Sequence, residues 1–377
     1  MADSTGALTF DEESNSLGLW NSVSKFITRA VAPLALCAIS IGSAAAQTAP
    51  PNPALHVMGN EIVDPNGAMV TLRGVAIIAP ESNGTCRNCN PRPTASVIAQ
   101  LSGHQASDPA WAAKVVRIPI GNSASDPATS FTKWIKPTVD AAKANGLYAI
   151  IDLHFVQDFG GSKALPESEV YNFWDYVSKS EYANDPNVLF ELFNEPVNPD
   201  DWNAWKTYIM PVVNQIRNNK ANNIILMGSP QWSTRAYDAL TSPIPDPANN
   251  LVYVEHIYPN QGTGFDALFG TASASIPIMV TEFGWDPSSR RSVAYGTYSG
   301  WGSTFRRYID AHPQIGWSNW IFDDYWTPVY FDTKWNLLTG EHQGPWIKQW
   351  LSAQQNCNQP QATTTTSVTS NVCNPLQ

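Results

Sequence analysis

Charge is scarce in this chain, and what there is leans acidic. Only 14% of the 377 residues are charged, 22 basic against 32 acidic, for a net charge of −10. A surface with so few cations is poorly suited to neutralising a phosphate backbone, so no nucleic-acid partner is expected. No glycine-rich loop follows the first strand-like run, which argues against a bound nucleotide. Cysteine is sparse as well, with five in all. The lone Cys-x-x-Cys, Cys86 to Cys89, lacks the second pair that a structural zinc site needs. Neither a metal nor a cofactor is expected.

The N-terminal apolar run, Ala30 to Ile41, is too short to span a bilayer comfortably. It follows Lys25 and Arg29 and ends at Ser43-Ala44-Ala45-Ala46-Gln47. That is a positive region, an apolar core and a small-residue cleavage site. Residues 1–46 are therefore expected to be a signal peptide or N-terminal extension, cut after Ala46, and the mature chain to be secreted or periplasmic. The acidic stretch before Lys25 is unusual for such a peptide, and an uncleaved membrane anchor is the alternative. Cys37 lies inside the apolar run. The other four cysteines, Cys86, Cys89, Cys357 and Cys373, favour two disulfides in an exported chain. Of three connectivities, the local pairs Cys86–Cys89 and Cys357–Cys373 are expected.

What the chain has in plenty is tryptophan, 15 in all, and short runs rich in Val, Ile, Leu, Tyr and Phe. After a Pro-rich lead-in over 47–55, residues 56–63 with the turn Asp64-Pro65-Asn66-Gly67 read as a small β-hairpin. Eight strand-like runs follow: 69–78, 114–120, 148–155, 188–195, 223–229, 251–258, 276–283 and 316–322. Helical patterns lie between them, clearest at 131–145, 168–182, 201–219 and 291–311, and 344–355 closes the series. Asp200 and Asp201 suit a helix start, and Asn145-Gly146 a helix stop. Near-continuous apolar strands alternating with helices imply a parallel sheet covered by helices. Eight units over about 300 residues predict a single α/β domain, a closed (β/α)8 TIM barrel over 56–355. A polar, Thr-rich tail occupies 356–377. A monomer is expected.

Two of these runs end in the same way. Val188-Leu-Phe-Glu-Leu-Phe-Asn194-Glu195-Pro196 stops at a proline, which cannot donate to a sheet ladder. Ile276-Pro-Ile-Met-Val-Thr-Glu282-Phe-Gly284 again carries an apolar strand into a glutamate and a turn. Two carboxylates at the ends of separate buried strands suit acid/base and nucleophilic work on a sugar bond. Either alone could be a solvated or salt-bridged strand end. In a barrel, chemistry gathers at the carboxyl ends of the strands. There the sequence also places Arg117, His154, Asn194, Trp232, His256, Tyr258 and Trp320. Singly, each is more simply a structural residue, but together they mark a site. Trp232, Trp285, Tyr325, Trp326 and Trp335 follow strands five, seven and eight, and are candidate stacking platforms for sugar rings. Alternation puts Glu191 on the face of Glu195, and a buried Arg73–Glu191 pair is expected below the site.

As a set, Leu72-Arg73-Gly74, Val116-Arg117, Leu153-His154, Asn194-Glu195-Pro196, His256-Ile257-Tyr258, Thr281-Glu282-Phe283-Gly284 and Trp320 resemble a secreted glycoside hydrolase of family 5, the cellulase family. The match runs in order from about residue 56 to 350. The resemblance implies a retaining β-glycanase with Glu195 as acid/base and Glu282 as nucleophile. Asn194 would hold the sugar 2-hydroxyl, and Arg117 and Tyr258 would bond Glu282. His154 and His256 would line the site, and Trp320 would floor the subsite at the scissile sugar. Where the family often continues the first strand as Arg-Gly-Val-Asn, this chain has Ala76. The implied substrate is a β-linked polysaccharide or oligosaccharide, with an endo-acting β-1,4-glucanase the leading reading. β-Mannanase, xyloglucanase, exo-β-1,3-glucanase and a non-catalytic carbohydrate-binding barrel stay open.

Overall fold

The structure, a computed structural model, describes residues 52–83, 91–102, 111–121 and 124–355. The expectations for 1–46, for the tail over 356–377, and for Cys86, Cys89, Cys357 and Cys373 lie outside the described residues. A short antiparallel hairpin opens the described chain, β1 (His56–Met58) against β2 (Glu61–Val63). Eight parallel strands then close into a barrel: β3 (Arg73–Ile77), β4 (Val115–Ile120), β5 (Tyr148–Leu153), β7 (Val188–Glu191), β9 (Ile225–Met227), β10 (Leu251–Ile257), β11 (Ile278–Phe283) and β12 (Gly316–Phe322), with β12 returning to β3. Two short segments, β6 (Val156–Gln157) and β8 (Glu195–Pro196), pair above the barrel and prop up the start of the Asn-Glu-Pro turn. The (β/α)8 architecture read from the sequence is thus the observed one.

The strands are shorter than the apolar runs suggested. Run four ends its ladder at Glu191, and run one begins it at Arg73. Helices close where local chemistry dictates. Asp201 caps Trp202–Asn218, its carboxylate accepting from the backbone N–H groups of Asn203 (2.8 Å) and Ala204 (3.0 Å). Gly146, at φ 70°, takes the left-handed turn that ends Lys136–Ala144. The helix expected over 291–311 starts later. Residues 291–297 form a loop bridged to Asp286 through Tyr295, a wide helical turn covers Tyr298–Gly302, and the α-helix itself spans Ser303–Asp310.

Side-chain alternation divides the core in two. One cluster fills the barrel's lower interior with Leu72, Val115, Tyr148, Ile150, Leu189, Leu226, Val252, Val254 and Met279. The larger one lies between strands and helices. This division corrects the expected Arg73–Glu191 pair. Arg73 shares the parity of Val75 and Ile77, which belong to the outer core, and its guanidinium lies 3.9 Å from Asp310 on a covering helix. Glu191 shares the parity of Leu189 and points inside, where Arg117 is its partner.

Candidate active site

Directly above the apolar floor, the barrel axis turns polar. Continuing inward-facing parity, β4 presents Arg117, β5 presents Asp152 and β7 presents Glu191, all fully buried. The Arg117 guanidinium organises this layer. Its Nε donates to Glu191 Oε2 (2.7 Å) and its Nη2 to Glu191 Oε1 (3.0 Å), a two-pronged pair. Nη2 also faces Asn194 Oδ1 (2.6 Å) and Asp152 Oδ2 (3.1 Å). The remaining nitrogen, Nη1, points up to Glu282 Oε2 (3.1 Å).

Glu282 faces the axis because β11 is irregular. Glu255 is opposite Val280 and His256 opposite Glu282, so Thr281 is an extra residue in the register. Such a bulge turns the following side chain to the other face. Val280 and Phe283 join the outer core, while Thr281 and Glu282 both point in: Thr281 Oγ1 donates to Glu191 Oε1 (2.8 Å), and Glu282 meets Arg117. The Tyr258 hydroxyl donates to Glu282 Oε1 (2.8 Å). Burial opposes ionisation of Glu282, but the positive charges of His256 and Arg117, with the Tyr258 hydroxyl, outweigh it and hold its pKa below the usual carboxylate value.

Glu195 stands opposite in a different environment. Burial and the neighbouring charge of Glu282 raise its pKa, against the pull of His256. His256 Nδ1 is 3.0 Å from Glu195 Oε1, and its Nε2 is 3.1 Å from Thr281 Oγ1. Burial works against a charged imidazole here, yet the carboxylates of Glu282, Glu191 and Glu195 push the pKa of His256 up to about 10. A ring nitrogen of His256 and one carboxylate oxygen from each of Glu195 and Glu282 lie within 4.8 Å of one another. Two carboxylates and an imidazole are also donors that a divalent cation accepts. Arg117, 3.1 Å from Glu282, already supplies a fixed positive charge beside that carboxylate, which disfavours a second cation there.

Above the carboxylates opens a cleft of ≈ 660 Å³. Trp320 and His154 form one wall as a parallel stack with ring centres 5.2 Å apart, and Asp152 Oδ2 holds His154 Nδ1 at 2.7 Å. Ala76 packs beneath Trp320. Trp232 and Trp326, 45% and 48% exposed, form the rim. The expectation for Trp285 does not hold. It is buried, its ring set among Tyr298 and Trp301 and its Nε1–H given to the carbonyl of Glu341, so it offers no open face to a sugar. Trp335 is likewise packed, with Arg92 over its ring.

This arrangement can be set beside known proteins. Residues 81–325 match the family model described as cellulase, glycosyl hydrolase family 5. The chain belongs to glycosyl hydrolase family 5. The family 5 match takes in the polar layer and every cleft residue named above from Arg117 to Trp320. Among relatives, endoglucanase Z of Dickeya dadantii is 34% identical over 183 residues, 46% of this chain and 40% of that protein. Endoglucanase E-5 of Thermobifida fusca is 28% identical over 316 residues, 79% of this chain and 61% of that protein. The chain therefore spans less than two thirds of the length of either relative. In fold, it resembles a beta-glucanase of Saccharophagus degradans solved in complex with cellotetraose, with a TM-score of 0.68 at 22% identity, covering 80% of this chain and 93% of that one.

Within this family 5 site, Asp152 and Thr281 escaped the sequence reading. Asp152 was detectable, since it precedes His154 by two on one strand and so shares its face. Thr281 was not, because nothing in Val-Thr-Glu announces a bulge. Gln231, Asn260, Gln261, Arg291 and Val293, which also line the cleft, come from loops whose paths the sequence does not reveal.

Proposed function

We propose that the chain is an exported endo-β-1,4-glucanase that cleaves with retention, through a glycosyl-enzyme on Glu282. One observation carries this reading. Two carboxylates face each other across one cleft with oxygens within 4.8 Å, close to the short separation of retaining enzymes. Their environments push them in opposite directions, Glu282 towards the anion and Glu195 towards the neutral acid. Glu282 attacks the anomeric carbon as the glycosidic C–O bond breaks, and Glu195 gives its proton to the leaving oxygen. The ester that forms has no charge, so Glu195 loses the repulsion that kept it protonated and becomes a base. It then takes a proton from water, which attacks the same carbon and releases Glu282 as a carboxylate. His256, bonded to one oxygen of Glu195, leaves the other free to carry the proton. Asn194, held by Arg117, faces the cleft to take the 2-hydroxyl, and Trp320 and Trp232 offer stacking faces. The choice of a β-1,4-glucan leans on the relatives named endoglucanase and on the fold relative that binds cellotetraose. Export leans on the charge and hydropathy pattern of residues 1–46.

Azide separates the two roles. With an activated aryl β-cellobioside, Glu195→Ala should show a burst and then stall, because departure needs little protonation while water still needs a base. Azide should restore turnover and yield the β-glycosyl azide. Glu282→Ala should give no burst. A β-azide formed by Glu282→Ala would reverse the roles, whereas an α-azide, from direct attack of azide in place of the missing carboxylate, would support Glu282 as nucleophile; a rate loss below about 10²-fold in both variants would remove the pair from catalysis. Hydrolysis of carboxymethylcellulose, compared with mannan, xyloglucan and laminarin, decides the glycan.

A further inference from the structure

Three consecutive residues beside Glu195 adopt a conformation that L-residues avoid. Gln231, Trp232 and Ser233 have φ values of 59°, 60° and 56°, a left-handed helical turn with no glycine in it. Single non-glycine residues visit this region uncommonly, and a run of three lasts only where its surroundings hold it in place. Here the holding is visible. The buried Ser233 hydroxyl donates to the carbonyl of Asn194 (2.7 Å), and the Gln231 N–H donates to the carbonyl of Val197 (3.3 Å). The turn is thus tied to the backbone on both sides of Glu195. Ser233 N–H closes the turn on the carbonyl of Ser229 (2.9 Å), and the Ser229 hydroxyl accepts from Arg235 N–H (2.8 Å). Gly228 makes room, since a Cβ there would lie 2.5 Å from the Phe193 carbonyl oxygen and 2.9 Å from Ser233 Oγ. At the apex sits Trp232, on the cleft rim.

We propose that Ser233 is a positioning residue. Its hydroxyl clamps the left-handed turn to the Asn194 carbonyl and so fixes the Trp232 indole against the leaving-group side of the substrate chain. The side follows from the tether. The turn brackets Glu195, and the acid stands beside the departing oxygen. The inference rests on Glu195 being that acid. A clamp of this kind links the grip on the departing chain to the residue that protonates it, because both hang from one stretch of backbone, residues 194–197.

The test compares cellohexaose, long enough to reach Trp232, with 2,4-dinitrophenyl β-cellobioside, whose slow step comes after the leaving group has gone. Ser233→Ala removes the clamp. Ser233→Gly also removes it while accepting the positive φ without strain, so it carries the test if the alanine variant does not fold. Both variants should raise KM for cellohexaose up to about tenfold, the range of a lost aromatic contact, with kcat changed less than about twofold. On the aryl cellobioside, kcat should stay near the wild-type value. Trp232→Ala should show the same KM rise, and adding it to Ser233→Gly should raise KM no further, because the two residues act as one unit. Additive effects of the two substitutions, equal losses on both substrates, or a wild-type KM in Ser233→Gly would each overturn the proposal. Wild-type protein that turns over neither substrate would overturn the reading of Glu195 and the clamp with it. Turnover of both by the wild type, with no effect at Ser233, would sink the clamp alone.

Discussion

Arg117 meets the carboxylates of Asp152, Glu191 and Glu282 with one guanidinium. Inside a protein such a group is held in place by its partners, and removing it leaves them as uncompensated buried charges, at a cost of about 3–5 kcal/mol. Glu191 shows the consequence for stability. Burial alone would raise its pKa, but Arg117 and His256 bring it down to about 2. A carboxyl whose pKa falls on folding contributes stability that is present above its unfolded value, 4.5, and is lost as pH drops through about 2. Glu191→Gln should therefore be less stable than wild type near neutrality, and the gap should close between about pH 4.5 and 2. Thermal melts across that range check it, and a gap that stays constant would show that Glu191 carries no such charge. Arg117 itself could be read as the one charged residue within the apolar run 115–120, but its main partner could not. The expected partner, Arg73, lies on β3, one strand farther from β7 than Arg117 on β4, and parity across the sheet, shown by neighbours such as Val75, sends it outward.

At the level of elements, the catalytic face depends on where strands become irregular. Apolar runs, a stopping proline and an Asn-Gly helix end were legible because each reflects a local restriction on backbone or burial. The bulge in β11 was not, since it is a property of how two strands meet. Its effect is nonetheless specific. With Thr281 in the chain, an unbroken register with β10 would place Glu282 opposite Ile257 and send it out towards the covering helices; the extra residue keeps it opposite His256 and facing in. Deleting Thr281 leaves Glu282 next after Val280 and still facing in, so the deletion and Thr281→Ala, which both lose the hydroxyl bonded to Glu191, should lose activity to a similar extent, with far-UV circular dichroism native-like in both. A deletion variant at least about 10²-fold less active than Thr281→Ala would mean that strand register is not what aims the carboxylate. The same reasoning explains Trp285. A tryptophan just past a strand end can lie on either side of the rim, and Gly302, pressed against its ring, marks the inward choice.

For the molecule as a whole, the pH–rate profile gathers these local effects. On the proposed mechanism, the acid limb of kcat/KM should follow Glu282, which must be ionised, and the alkaline limb Glu195, which must hold a proton. Lowering of the first pKa and raising of the second widen the interval between them. Tyr258→Phe removes the hydroxyl that donates to Glu282 and should move the acid limb to higher pH, leaving the alkaline limb less affected. A shift confined to the alkaline limb would contradict the assignment. Eight alternating units made the barrel legible at this scale, because repetition averages out errors in single strand ends. The cleft's breadth was not, because loops such as 286–296 and 323–328 build it through contacts like Thr327 to Asp286 (3.1 Å).

The layer of charges under the cleft bears on how the protein meets saline surroundings. Mobile ions screen exposed charges over about 8 Å at physiological ionic strength and about 3 Å at molar salt. The groups that tune Glu195 and Glu282 lie beneath the surface, where those ions do not reach: Arg117, Asp152 and Glu191 are fully buried and His256 nearly so. The proposed substrate, a neutral glucan, would feel no long-range pull that salt would weaken. Catalysis should thus be largely indifferent to sodium chloride between about 0.05 and 1 M, with kcat/KM on cellohexaose changing less than about twofold. Surface pairs such as Lys136–Glu181 would be screened over the same range, so brine should register in the melting curve before it registers in the rate.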